Sequence, residues 1–163
     1  MKSFAEATKT AEELKSMAEK QTNPREMRYY EHVLGLVELG EKNLRKAVDL
    51  FAKACERLLR EALLDYDRHQ AVFFDGLARA LFESGDLEKA QREYKKITQL
   101  TTGRLIQGDI YAKSFYMLGK IAEEQGDKAS AREHYGKFLD LWKDADPDRP
   151  EPADARKRLA GLT

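Results

Sequence analysis

The chain carries one cysteine, four prolines and ten glycines in 163 residues. A single thiol, Cys55, cannot close an internal disulfide, and it points to a reducing compartment. So few turn formers exclude a many-turned β sandwich. Apolar runs stop at five residues even with glycine counted, as in Val33 to Val37, whereas a spanning helix needs about 20. Residues 1–10 contain Glu6 and no apolar stretch of the secretory kind, so a cytoplasmic location is expected. Nor is there an excess of charge of either sign. Lys plus Arg and Asp plus Glu both number 29, leaving no net field to attract nucleic acid or an anionic membrane.

What the sequence has in quantity is material for amphipathic helices: 42% hydrophobic and 36% charged residues. Leu44, Ala47, Val48, Phe51, Ala54, Cys55, Leu58, Leu59, Ala62 and Leu63 keep to spacings of three and four, which predicts a long helix with one apolar face. Part of that pattern recurs. A small residue is followed at plus four and plus seven by ring or apolar residues in Ala47, Phe51, Ala54; in Ala90, Tyr94, Ile97; and in Ala131, Tyr135, Phe138. Ala7, Ala11 and Leu14 fit more weakly, and the four anchors lie 40, 43 and 41 residues apart.

Twelve residues before each of the last three anchors stands another small residue, preceded by Leu: Leu34-Gly35, Leu77-Ala78 and Leu118-Gly119. Small side chains let helices approach closely, so each unit reads as an antiparallel helix pair. Breakers fall where the turns of such pairs must be: Gly40 to Asn43, Ser84-Gly85-Asp86 and Gln125-Gly126-Asp127. Glycine ends one helix in the left-handed region, and Asp or Asn caps the next. Asn23-Pro24-Arg25-Glu26 predicts a helix start, and Asp109 the cap of a later one after a connection from Thr101 to Gly108. Residues 144–152 read as loop, with a short last helix from Pro152 to Ala160 stopped by Gly161.

These spacings resemble the tetratricopeptide repeat, a helix-turn-helix with Leu-Gly in its first helix and Ala then an aromatic in its second. Phe115, Leu118-Gly119, Gly126-Asp127, Ala131 and Tyr135 carry the resemblance best; Phe74, Leu77, Ala78, Gly85-Asp86, Ala90 and Tyr94 follow, then Leu34-Gly35, Ala47 and Phe51. The period near 41 exceeds the family's usual value of about 34 and approaches that of HEAT-like arrays. The tetratricopeptide reading is preferred because spacing inside each pair is constant and the surplus falls between pairs. The resemblance implies an all-α solenoid in one domain: a half repeat at 3–21, repeats at 24–64, 67–101 and 109–143, and a capping helix at 152–160. The stretch from Phe138 to Asp146, with Asp154 to Leu162, also resembles the end of repeat regions in large bacterial signalling proteins, where a kinase, cyclase or transcription-regulator module precedes the repeats.

No residues are arranged for catalysis. His32, His69 and His134 fall on different helices without metal-ligand spacing. Asp144, Asp146 and Asp148 alternate as in a calcium loop, but Arg149 and Ala155 stand where Gly and Glu are needed. Cys55 lies on the apolar stripe, where a thiol packs as a small hydrophobe. Arg156, Lys157 and Arg158 sit near a helix C-terminus, where cations suit the dipole, and Glu151 and Asp154 offset them, so no nucleic-acid partner is expected. There is no phosphate-cradling glycine loop, nucleophile elbow or zinc signature. The expectation is a protein that is not an enzyme, with no cofactor and no metal.

In tetratricopeptide arrays the first helices line a concave face that reads partner peptides. By resemblance, that lining is Tyr29, His32, Leu36 and Leu39; Val72, Asp75, Arg79 and Phe82; and Lys113, Tyr116, Lys120 and Glu123. Arg79, Lys113 and Lys120 are suited to hold a peptide carboxylate. Of the places used by the family's chaperone-binding clamps, here His32, Leu36, Gly76, Lys113 and Met117, only Lys113 agrees in type. The implied function is a protein-interaction scaffold; the alternative is a regulatory or spacer segment of a larger signalling protein. The stripe Phe4, Ala7, Ala11, Leu14 and Ala18 predicts a homodimer through residues 3–18 if its partner helix is missing.

Overall fold

The structure, a computed structural model, describes residues 2–20, 26–59, 70–100, 103–144 and 148–162. Nine helices and no strand occur among them: α1 (Lys2–Lys20), α2 (Met27–Gly40), α3 (Leu44–Leu59), α4 (Gln70–Glu83), α5 (Leu87–Gln99), α6 (Gly103–Ile106), α7 (Gly108–Glu124), α8 (Lys128–Leu141) and α9 (Pro150–Gly161). They fall into two compact units, Met1–Glu93 and Tyr94–Thr163. In the first, α1 packs on α2, α2 on α3, and α4 on both α2 and α3; in the second, α6 packs on α7, α7 on α8 and α8 on α9.

The pairs turn by one mechanism. The Asp86 N–H donates to the Leu81 carbonyl at 3.0 Å and the Asp127 N–H to that of Ala122 at 2.8 Å, across Gly85 and Gly126 with φ of 83° and 77°. In the first pair the Asn43 N–H reaches the Glu38 carbonyl at 2.8 Å, but the left-handed residue is Lys42, φ 65°. Gly40, the residue the sequence pointed to, stays inside α2, and a Cβ there would collide with the Phe4 ring of α1. Its smallness serves helix approach, not chain reversal.

Two of the expected caps form. Asp127 Oδ1 accepts from the Ser130 N–H at 3.0 Å and Asp86 Oδ1 from the Lys89 N–H at 3.2 Å. Asn43 gives its side-chain amide to Glu38 Oε2 at 2.9 Å. Asp109 is no cap: Gln107 holds that position, and Asp109 lies in the first turn, where its charge still suits the dipole. The expected long connection after Thr101 contains α6, and α9 starts two residues early because proline is tolerated in a first helical turn. The predicted cap at Asn23-Pro24 and the predicted end of the long helix, residues 60–64, lie outside the described residues.

Repeat anchors form the interior. Phe51, Tyr94, Tyr135 and Phe138 are each 0% exposed. Two of these rings need backbones without side chains: a Cβ at Gly35 or Gly76 would come within 2.8 or 2.6 Å of Phe51 Cε1, and one at Gly119 within 2.6 Å of Tyr135 Cε1. Gly76, unlike Gly35 and Gly119, was not singled out as a packing position by the repeat pattern. Overpacking a core costs about 1–3 kcal/mol, so Gly119→Val is expected to lower the midpoint of denaturation followed by Trp142 fluorescence. Gly136 on α8 has nothing within 4 Å of an added Cβ. Gly136→Ala therefore raises that midpoint, by about 0.5–1 kcal/mol of helix preference.

Candidate functional site

The candidate lining divides between the units. Tyr29, His32 and Leu36 lie on α2 and Val72, Asp75, Arg79 and Phe82 on α4, two helices in contact within the first unit. Lys113, Tyr116 and Lys120 lie on α7 in the second.

In the first unit burial sorts these residues. His32 is 8% exposed and belongs to the core, its ring edge-on to Phe73 at 5.0 Å and to Phe51 at 5.3 Å. Its Nδ1 has no hydrogen-bond partner, and burial, with the Arg79 charge adding to it, pushes its pKa down to about 4. Leu39 is also buried. Tyr29 is half-buried, its ring 5.7 Å from Phe73 and its hydroxyl accepting from Arg28 Nη2 at 3.0 Å. What faces outward is Leu36, 40% exposed, and Arg79, whose Nη1 lies 3.9 Å from Asp75 Oδ2. Val72 and Phe82 are half-buried.

An ion pair built on a buried carboxylate ties α2 to α3. Glu31 stands where the repeat pattern puts an aromatic, and a buried carboxylate demands a partner. Arg57 of α3 supplies it, with Nε 2.9 and 3.0 Å from the two Glu31 oxygens. Burial raises the Glu31 pKa, and the Arg57 hydrogen bond and charge oppose that rise. Sequence reasoning passed over this pair; the charge in an aromatic place was the available signal. At the turn end of α2, Glu38 is buried and paired with Lys46, and Lys42 Nζ meets Glu83 Oε2 at 2.8 Å.

In the second unit the candidate residues already have an occupant. Lys113 Nζ lies 3.2 Å from Glu151 Oε1 of α9 and 5.5 Å from the centre of the Trp142 ring. The Tyr116 hydroxyl donates to Asp154 Oδ2 at 2.6 Å; burial first, then this bond, pushes its pKa up to about 12. Arg158 bridges back with Nη1 2.9 Å from Glu123 Oε2 and Nε 2.6 Å from Asp154 Oδ2. The Tyr135 hydroxyl donates to the same Glu123 oxygen at 2.8 Å. Lys120 Nζ lies 5.8 Å from the Tyr116 ring centre. The sequence pattern does not reveal these contacts, because Glu151 and Asp154 read there as a counterweight to the neighbouring basic cluster.

For catalysis and metals the geometry offers little. Among the described residues no group of three or more His, Cys, Asp or Glu could hold a metal ion. His32 and His134 lie in different units, while His69 and Asp146 fall outside the described residues. Cys55 is buried, its thiol directed at the Phe73 carbonyl at 3.5 Å. On α1, Met17 is 60% and Phe4 37% exposed. No described helix is long and apolar enough to cross a membrane.

Comparison with known proteins agrees with this architecture. Residues 113–145 match the family model described as Tetratricopeptide repeat. That segment holds α7 from Lys113 onward and all of α8, with Gly119, Gly126, Ala131 and Tyr135, the residues that make the turn and packing of the pair. Among solved structures, the crystal structure of BtubC (BKLC) from P. vanneervenii is similar with a TM-score of 0.74 and 21% identity, over 98% of this chain and 63% of that one. The chain thus spans less than two thirds of that protein's length, and the likeness establishes the fold. No curated protein matches the chain.

Proposed function

From a chain whose residues 113–145 are a tetratricopeptide repeat within an all-α array of helix pairs, we propose a non-catalytic scaffold of the cytoplasm. It holds a polypeptide segment against its first helices. The observation that carries this is the division of α2 and α4 in the first unit: packing takes His32, Leu39 and Phe73 inside and leaves Leu36 and Arg79 outside on helices that touch. An exposed apolar side chain on one helix and a long cation on the helix it touches suit a segment that presents an apolar residue and a carboxylate. Tyr29, Val72, Asp75 and Phe82 are half-buried on the same two helices.

A displayed library of random peptides, selected on the full chain, provides the test. Selected sequences are expected to lose binding to Leu36→Glu and to Arg79→Glu, while keeping it to Arg45→Glu, an exposed position on α3. Peptides indifferent to both first-helix changes would remove the reading.

The alternative, an intramolecular regulatory or spacer role, draws support from a different observation. The α7 residues expected to meet a partner, Lys113 and Tyr116, are engaged by α9 of the same chain. Both readings are compatible if the scaffold is regulated by its own last helix.

A further inference from the structure

Helix α9 joins the apolar core through Ala155, with Leu159 packed against it, and adds a set of polar contacts. It buries Pro152 and Ala155 and half-buries Leu159, with Leu162 buried just beyond it. Two of these are small, whereas α8 brings Tyr135 and Phe138 into the interior at 0% exposure. What α9 adds is polar and directional: Glu151 to Lys113, Asp154 to Tyr116, and Arg158 to Glu123. Glu151, Asp154 and Arg158 follow one another at plus three and plus four, so they share a helix face. That face therefore carries two carboxylates followed by a cation, and α7 offers a cation, a hydroxyl and a carboxylate to meet them.

The receiving face has support of its own, because the Tyr135 hydroxyl holds Glu123 from α8 at 2.8 Å independently of α9. It therefore keeps its arrangement when α9 is exchanged for another segment.

We infer that the α7 face bearing Lys113, Tyr116 and Glu123 is a recognition site for a helical segment with a carboxylate at i, a carboxylate at i+3 and a cation at i+7. In this inference α9 is its resident occupant, displaced when such a segment from a partner binds. The inference rests on the scaffold reading and names the partner chemistry for its second unit. Displacement follows from competition: if the face is open for one part in a hundred of the time, an outside segment binds about a hundred times more weakly than to a face left free. Tethering keeps α9 at high effective concentration, so the partner must match it better than α9 matches itself.

The test uses the full chain and a fluorescent peptide of residues 148–162 as the outside segment. Glu151→Lys with Asp154→Lys is expected to speed amide exchange in α9 and to tighten peptide binding at least ten-fold over the unaltered chain. Adding Lys113→Glu to that pair recreates opposite charges within the chain and repels Glu151 of the peptide, so binding falls back to or below the starting value. The milder Glu151→Gln with Asp154→Asn gives the same order with a smaller change, which covers loss of folding in the reversed pair. Unchanged exchange in α9, binding no tighter once α9 is released, or binding indifferent to Lys113→Glu would each overturn the inference. Arg79→Glu leaves this binding unchanged. Failure here with library peptides still sensitive to Leu36 would sink the α9 inference alone; the converse would sink the reading of the first unit.

Discussion

Phe51→Ala is expected to destabilise the first unit by about 3–5 kcal/mol, the usual cost of deleting a fully buried aromatic ring. Phe51 is 0% exposed and wedged against two glycines from different helix pairs, Gly35 of α2 and Gly76 of α4, with the His32 ring 5.3 Å away. Its loss empties a space bounded by backbone, which collapses less readily than one bounded by flexible side chains. Domains are commonly stable by only 5–15 kcal/mol, so this change removes a large part of the margin. Denaturant titration followed by helical circular dichroism measures it. Trp142, the chain's one tryptophan, lies in the second unit and reports that unit separately. A loss below about 1 kcal/mol would contradict the packing described for Phe51.

Acid should act on the first unit through His32. Its folded pKa of about 4 lies below the ordinary value of 6.5, chiefly because burial disfavours the charged ring and secondarily because Arg79 repels it. A depressed pKa means that the folded state resists protonation. The associated stability is complete above pH 6.5 and is lost as the pH falls from there to about 4. A gap of this size corresponds to about 3 kcal/mol. Arg57 and Arg79 bring further positive charge to these helices, with Glu31 and Asp75 as their partners. His32→Leu is expected to flatten the pH dependence of stability between pH 7 and 4 relative to the unaltered chain. Equal slopes for the two proteins would show that this imidazole is hydrated in the folded state.

The helix pairs were legible in the sequence because their determinants are local. Gly85-Asp86 and Gly126-Asp127 carry both the left-handed residue and the cap within two positions, and Ala131, Tyr135 and Phe138 show the apolar stripe directly. Gly40 misled because glycine near a turn has two uses, and Phe4, which claims its open side, is distant in sequence. His32 misled for a related reason. Its register matches an open face, but Phe51 and Phe73 close over it from α3 and α4. The occupied state of Lys113 and Tyr116 was hidden because their partners come from α9, across the segment read as loop. Local patterns name the helices; which face is left free depends on what the rest of the chain lays upon it.

The central claim is that the first helices, and not the second, receive a polypeptide segment. Hydrogen exchange of the full chain with and without a library-selected peptide addresses it most directly. Added protection is predicted on α2 and α4, around Leu36 and Arg79, with α3 unchanged along its outer face at Arg45, Asp49 and Lys53. Protection confined to α3, with α2 and α4 exchanging as before, would contradict it.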